Sequence, residues 1–168
     1  SDILTMDAFE NAIMIHASIA GSTNALLHLP SIAYELGLEI RPEQFDEINR
    51  KIPYLLNVKP SGTYPVEYFY ASGGVPAVME QLRPFLHLDA MTVTGKTVGE
   101  NLDELFENGH YDRCTKYFEG TGISKSQVLF TTDNPINKEG SIAVLTGNIA
   151  RDGSVMKHSA VPEEMKEA

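Results

Sequence analysis

Three stretches hold residue types at spacings that could do chemistry. The first is Gly21-Ser22-Thr23-Asn24, set between two apolar segments. A helix beginning here would offer unpaired amides and a positive dipole end suited to a carboxylate or phosphate, with Ser22, Thr23 and Asn24 adding side-chain donors. In the competing reading these residues cap their own helix and let two helices pack closely at Gly21. The residues taken alone favour the second. The next stretch is "TVTGKT", Thr92 to Thr97. A phosphate loop would need another glycine five residues before Gly95, and Ala90 stands there, so the backbone cradle is missing. A capping box with Thr97 as N-cap and Glu100 three residues on is the better reading. The third is "YDRCTKYFEG", in which Arg113 and Lys116 flank Cys114. Neighbouring cations can lower a thiol pKa; a plain connector cysteine is the competing reading. His16, His28, His87, His110 and His158 show no paired metal-ligand spacing and read as surface or packing histidines.

Composition bounds what such residues can serve. The 168 residues can bury a sizeable core. No apolar run approaches the roughly 20 residues of a membrane span, so no membrane role is expected. A net charge of −10, with acids scattered along the chain, supplies no basic stripe for nucleic acid. With Cys114 as the single cysteine, an internal disulfide and an all-cysteine metal site are both excluded; a reducing, cytoplasmic setting fits. The first residues lack the pattern of a signal peptide. At "PEEMKEA" another helix is expected to begin, and both ends are compatible with a piece of a longer protein.

The elements that must position these residues follow from hydrophobic spacing. Phe9, Ile13 and Ala17 predict a helix from Thr5, its N-cap, to about Ile19. Asn24 or Thr23 caps a second, with Leu26, Leu29, Ala33 and Leu36 inward, Pro30 kinking it and Gly37 ending it. A third starts at Pro42 with Phe45 and Ile48 inward. Short elements broken by "KPSGTYP" and "SGGVP" follow, and Tyr64, Tyr68, Phe69 and Tyr70 read as core packing. "AMTVTG" predicts a short strand, and Val98, Leu102, Leu105 and Phe106 one face of a helix from Thr97 to about Asn108. "QVLF", "SIAVL" and "SVMKH" predict three strands, the last after a turn at Arg151-Asp152-Gly153. The apolar run Ile142 to Leu145 expects cover on both faces. The division expected is a mostly helical part over 1–108, a connector over 109–125 and the incomplete start of a β-rich domain over 126–168.

The blocks "AGSTNALLHLPSIAYELGLEI", "KPSGTYPVEYFYASGGVPAVM", "LDAMTVTGKTVGENL" and "DNPINKEGSIAVLTGNIARDGSVMKHSA", in that order, resemble the dihydroxy-acid and sugar-acid dehydratase family, which includes phosphogluconate and aldonate dehydratases. "HLP" and "LHLDAMTVTGKT" resemble the xylonate dehydratase branch most. The resemblance implies an internal fragment of an α/β protein: the end of an N-terminal α/β domain, then the first strands of a swivelling β-barrel-like C-terminal domain. It implies a hydro-lyase that takes water from a 2,3-dihydroxy sugar acid such as an aldonate, through an enol, to a 2-keto-3-deoxy acid. It also implies an iron-sulfur cluster acting as Lewis acid, a magnesium ion holding the carboxylate end, a serine alkoxide as base, and a homo-oligomer when full length.

In the family the cluster cysteines and the magnesium motif lie before the GSTN block and the catalytic serine after the "GN" hairpin. No catalytic residue and no metal ligand is therefore expected in this chain, and no cofactor is expected to bind it alone. Ser22, Thr23 and Asn24 are the expected substrate-binding residues. Ala20 stands where the family's block has its first glycine, enlarging what reads as a closest-approach position. The rival class is a non-catalytic helical binding or assembly module.

Overall fold

A computed structural model describes residues 2 to 165. Eight α-helices precede a two-stranded antiparallel sheet, the only ladder among the described residues. Helix α1, Met6–Ser18, starts where the Thr5 hydroxyl accepts the Ala8 N–H at 3.4 Å, as its N-cap role requires. It is buried on more than one face. Phe9 and Ile13 pack with Ala33, Ile40 and Phe45. Ile15 and Ala17 join a larger cluster around Ile52, Leu55, Leu56, Val78, Leu82 and Val128. The predicted single stripe is thus split between two clusters, because α1 is the middle layer.

Helix α2, Ala25–Glu35, runs through Pro30 without interruption. It ends in a Schellman motif: Gly37, in the left-handed region at φ 73°, sends its N–H to Tyr34 O, and Leu38 N–H reaches Ala33 O at 2.9 Å. This turn swings Leu38 onto the Phe9 cluster and leaves the predicted inward residue Leu36 at 38% exposure. Helix α3, Pro42–Asn49, packs Phe45 inward beside α1.

Helices α4 (Glu67–Ala71) and α5 (Gly74–Gln81) are short. Tyr64, Tyr68 and Phe69 lean on the large cluster as expected, whereas Tyr70 is exposed against Tyr117. The predicted strand in "AMTVTG" is instead a polar turn. Thr92 O accepts the Gly95 N–H, Lys96 O accepts the Thr92 N–H, and the hydroxyls of Thr92 and Thr94 bond Asn101. Local side-chain bonds have displaced a ladder that had no partner strand. Helix α6, Val98–Glu107, buries Val98 and Leu102. Phe106, predicted inward, is 71% exposed.

Helices α7 (His110–Thr115) and α8 (Lys125–Val128) follow. Gln127 and Val128 of the predicted "QVLF" strand lie in α8, where Ser124 and Gln127 form a capping box. Only Leu129 makes a strand-like bridge, to Leu56. Strands β1 (Ile142–Leu145) and β2 (Ser154–Lys157) pair with Ile142 opposite Lys157 and Leu145 opposite Ser154. One face of β1 lies on the helices, where Asn49 Oδ1 accepts the Ile142 N–H at 2.9 Å; Leu145 stays exposed, so the expected cover on both sides is not complete among the described residues. Residues 163–165 of the helix expected at "PEEMKEA" form a 3₁₀ turn, and the remainder lies outside the described residues.

Candidate functional site

The C-terminus of α1 collects bonds from four distant or turning segments. The last carbonyls of a helix lack intrahelical donors and must find partners elsewhere. Here His16 O accepts the Gly21 N–H at 3.0 Å, and Ser18 O accepts the Leu55 N–H at 2.9 Å. Ala17 O accepts both the backbone N–H and the hydroxyl of Ser141, at 3.0 and 2.9 Å. Two residues beyond the helix, Ala20 O accepts the Lys157 ammonium of β2 at 2.9 Å. The turn that follows, residues 20 to 24, is therefore built on a fixed base.

Its conformation explains two small residues. Ala20 is the only non-glycine with positive φ among the described residues, at 54°. It occupies the left-handed position of the helix-ending motif, where glycine is usual. Gly21 is demanded by space: a Cβ there would overlap His16 Cδ2. The closest-approach position is thus Gly21 and not Ala20, and the approaching group is a ring on α1, not a second helix. His16 itself is buried, and its Nε2–H donates to Ser22 O at 2.7 Å, which places the proton on Nε2. Burial holds its pKa below the usual histidine value, the Ser22 bond opposes that shift, and the nearby Lys157 charge reinforces it.

The sequence-predicted residues divide in role. Ser22, and not Asn24 or Thr23, is the local cap: its Oγ accepts the Asn24 N–H at 3.3 Å, and its carbonyl accepts the Ala25 N–H. Asn24 already has helical dihedrals in place of the extended backbone usual for a capping residue, and its side chain makes no cap bond. The amides expected to be open for an anion are largely used within the turn, Leu26 N–H bonding Thr23 O as well. What remains outward is side-chain chemistry. Thr23 and Asn24 line a cleft of about 320 Å³ together with Leu26, Leu27, Pro42, Val144 and Asp152. The lining thus combines residues bearing a hydroxyl, a carboxamide and a carboxylate with apolar ones, a composition that suits a small hydroxylated molecule with a compact apolar part.

Elsewhere the structure removes the alternatives. Thr97 and Glu100 form the expected capping box, with bonds of 3.2 and 2.7 Å, and Lys96 pairs with Glu104 at 2.7 Å, so "TVTGKT" offers no phosphate cradle. Cys114 is buried with its sulfur 3.7 Å from His110 Nε2, while Arg113 is held by Asn108. One cluster escaped sequence reasoning. Asp7, Glu10 and His87 bring three ligand-type atoms within 4.8 Å of one another. His87 Nε2 lies 2.6 Å from Glu10 Oε2, and the Asn11 carboxamide bonds both the N–H and the C=O of His87. This is a clasp between α1 and the segment before α6; 77 positions separate its ends, and only packing brings them together. No helix among the described residues is long and apolar enough to cross a membrane.

Residues 1–101 match the family model described as dihydroxy-acid/6-phosphogluconate dehydratase N-terminal, and residues 127–168 its C-terminal counterpart. Dihydroxy-acid dehydratase 1 of Methanosarcina acetivorans is 44% identical over 165 residues, covering 98% of this chain and 28% of the relative. A dihydroxy-acid dehydratase of Acetivibrio thermocellus is 45% identical over 167 residues, covering 98% and 27%. One of Methanosarcina barkeri is 44% identical over 164 residues, covering 98% and 28%. The chain spans little more than a quarter of the length of these curated relatives. Their names speak of a dihydroxy acid and give no support to the narrower xylonate branch.

Proposed function

The chain belongs to the dihydroxy-acid/6-phosphogluconate dehydratase family, and on that premise we propose that it is a segment of a hydro-lyase that removes water from a 2,3-dihydroxy acid to give a 2-keto acid. Within that enzyme Ser22, Thr23 and Asn24 border the substrate pocket. One observation supports this assignment: Thr23 and Asn24 line a cleft, and the Ser22 hydroxyl accepts the Asn24 N–H in the turn that carries them. The Thr23 hydroxyl and Asn24 carboxamide would hold hydroxyl or carboxylate oxygens, and Leu26, Leu27 and Val144 would exclude water from the carbon skeleton. The aldonate is kept as a second substrate reading on the "HLP" and "LHLDAMTVTGKT" blocks alone. The partition into residues 1–108, 109–125 and 126–168, with β1 and β2 opening a β-rich unit, belongs to the same proposal, as do the homo-oligomer and the cytoplasmic setting.

The iron-sulfur cluster and magnesium ion implied for the complete enzyme find no fitting donors among the described residues. A cluster needs several thiolates, and the single cysteine is buried against His110. Magnesium prefers an all-oxygen shell, and the Asp7–Glu10–His87 clasp includes an imidazole already bonded to Glu10. No step through either group is assigned to this chain.

The test is Asn24→Ala in the complete enzyme. Because Asn24 makes no cap bond, stability should stay within about 0.5 kcal/mol of the parent, while kcat/KM falls about tenfold or more, the loss of one well-placed hydrogen bond to a charged group. Unchanged kinetics would remove the pocket role. Comparing an alkyl-substituted 2,3-dihydroxy acid with a five-carbon aldonate then decides the substrate class.

A further inference from the structure

We infer that Lys157, on the C-terminal hairpin, is a positioning residue for the 20–24 turn, so that the binding side chains of the helical part are set by a cation supplied from the sheet. The inference rests on the reading that this turn borders the pocket.

Lys157 Nζ donates to Ala20 O at 2.9 Å, and His16 Nε2–H donates to Ser22 O at 2.7 Å. The two carbonyls flanking Gly21 are therefore each gripped by a different segment. Between them, Gly21 has no room for a side chain against His16. Rotating either of the two peptide planes that carry these carbonyls breaks one of the bonds, and the next three residues are Ser22, Thr23 and Asn24. The two grips differ in kind. His16 belongs to the helix that the turn terminates, so its bond is local. Lys157 comes from 137 positions away, and its bond is charge-assisted and lies beyond the negative end of the α1 dipole.

The anchor of that ammonium is itself fixed. Lys157 pairs with Ile142 in the hairpin register, Ile142 N–H is held by Asn49 Oδ1, and Ser141 is bonded twice to Ala17 O. The hairpin thus reaches the end of α1 twice: through backbone and hydroxyl at Ser141, and through the side chain of Lys157. The Ser141 contact docks the strand. The Lys157 contact reaches past the helix end to the turn itself. Lys157 acts through the turn and need not touch substrate.

The test uses the complete enzyme and two readouts. Lys157→Met keeps the aliphatic stem and removes the donor; Lys157→Arg keeps charge and donor. For Lys157→Met the expectation is a KM raised about tenfold with a smaller change in kcat, and faster amide exchange at Gly21 and Ala25, the amides closed by this turn. Lys157→Arg should recover KM to within about threefold of the parent. Should the Met variant fail to fold, Lys157→Gln is read by the same two measurements. Parent-like exchange at Gly21 and Ala25 in the uncharged variant overturns the inference. So does a parent-like KM in that variant where Asn24→Ala is impaired. Faster exchange with parent-like kinetics in both the Lys157 and Asn24 variants leaves the grip standing and removes only the pocket reading on which its catalytic meaning rests.

Discussion

Replacing Ala20 by glycine should stabilise the protein, although the change removes a side chain and adds freedom to the unfolded chain. Ala20 sits at φ 54°, a region where the Cβ of an L-residue approaches the following carbonyl and costs about 1–2 kcal/mol. Glycine relieves that strain but brings an unfolded-state entropy penalty of roughly 0.5–1 kcal/mol. The difference is a net gain of about 0.5–1 kcal/mol. The bonds that need this geometry, Gly21 N–H to His16 O and Lys157 Nζ to Ala20 O, involve no side-chain atom of residue 20 and survive the change. The gain should appear as a higher thermal midpoint. It should also slow exchange at the Gly21 amide about two- to fivefold wherever exchange proceeds by opening of this turn. Ala20→Val is the opposing control, because a β-branched side chain fits the left-handed region worse than alanine. Exchange unchanged or faster in Ala20→Gly, or Val tolerated as well as Ala, would show that residue 20 is not held in the left-handed region and would refute the reasoning.

The remaining expectations concern the same neighbourhood and the core behind it. Gly21→Ala should destabilise by about 1–3 kcal/mol as the His16 ring is displaced, and the His16 side-chain NMR signals should shift with it; a parent-like midpoint would contradict the lack of room for a Cβ beside His16. Tyr54 is buried, its hydroxyl has no hydrogen-bond partner among the described residues, and burial pushes its pKa up to about 12. The unfolded chain therefore loses the phenolic proton near pH 10 while the folded protein keeps it, and stability should fall between pH 10 and about 12. Tyr54→Phe should be neutral or slightly stabilising at pH 7 and should reduce this alkaline loss in denaturation curves. His16 behaves oppositely at the acid end. Its folded pKa is lowered by burial, so its contribution is intact above about pH 6.5 and is lost as the pH falls below that value; His16→Gln should flatten the slope.

Local signals explain which parts were legible in the sequence. Thr5, Thr97 with Glu100, Gly37, and the turn before Ser154 each specify an end or a turn through their own side chains or backbone freedom, and the structure uses all of them. The predicted strand at "AMTVTG" failed because alternation alone does not supply a partner, and Thr92, Thr94 and Asn101 closed a turn first. "QVLF" failed for a related reason: Ser124 and Gln127 cap a helical turn, which leaves only Leu129 for pairing. Leu36 and Phe106 fit a helical stripe yet lie outside the core, since a three- or four-residue period cannot say where a helix leaves its neighbour.

At the candidate site the same distinction separates residue identity from role. The polar cluster after Gly21 is visible in the sequence, but the allocation of Ser22 to the cap and of Thr23 and Asn24 to the cleft depends on dihedrals that no spacing encodes. His16 looks like any packing histidine until the turn brings Ser22 O onto Nε2, and Lys157 looks like a solvent-facing strand residue until the hairpin docks. Position 20 shows how a non-glycine residue in the left-handed region acquires physical meaning. Alanine stands there with its carbonyl held by Lys157 and the next amide by His16 O. The two bonds hold the residue in a conformation it would otherwise leave, so loosening the Lys157 grip should destabilise the turn more with alanine at position 20 than with glycine. A double-mutant cycle between Ala20→Gly and Lys157→Met should therefore show a non-zero coupling in Gly21 amide exchange; strict additivity would mean that the strain and the grip are independent.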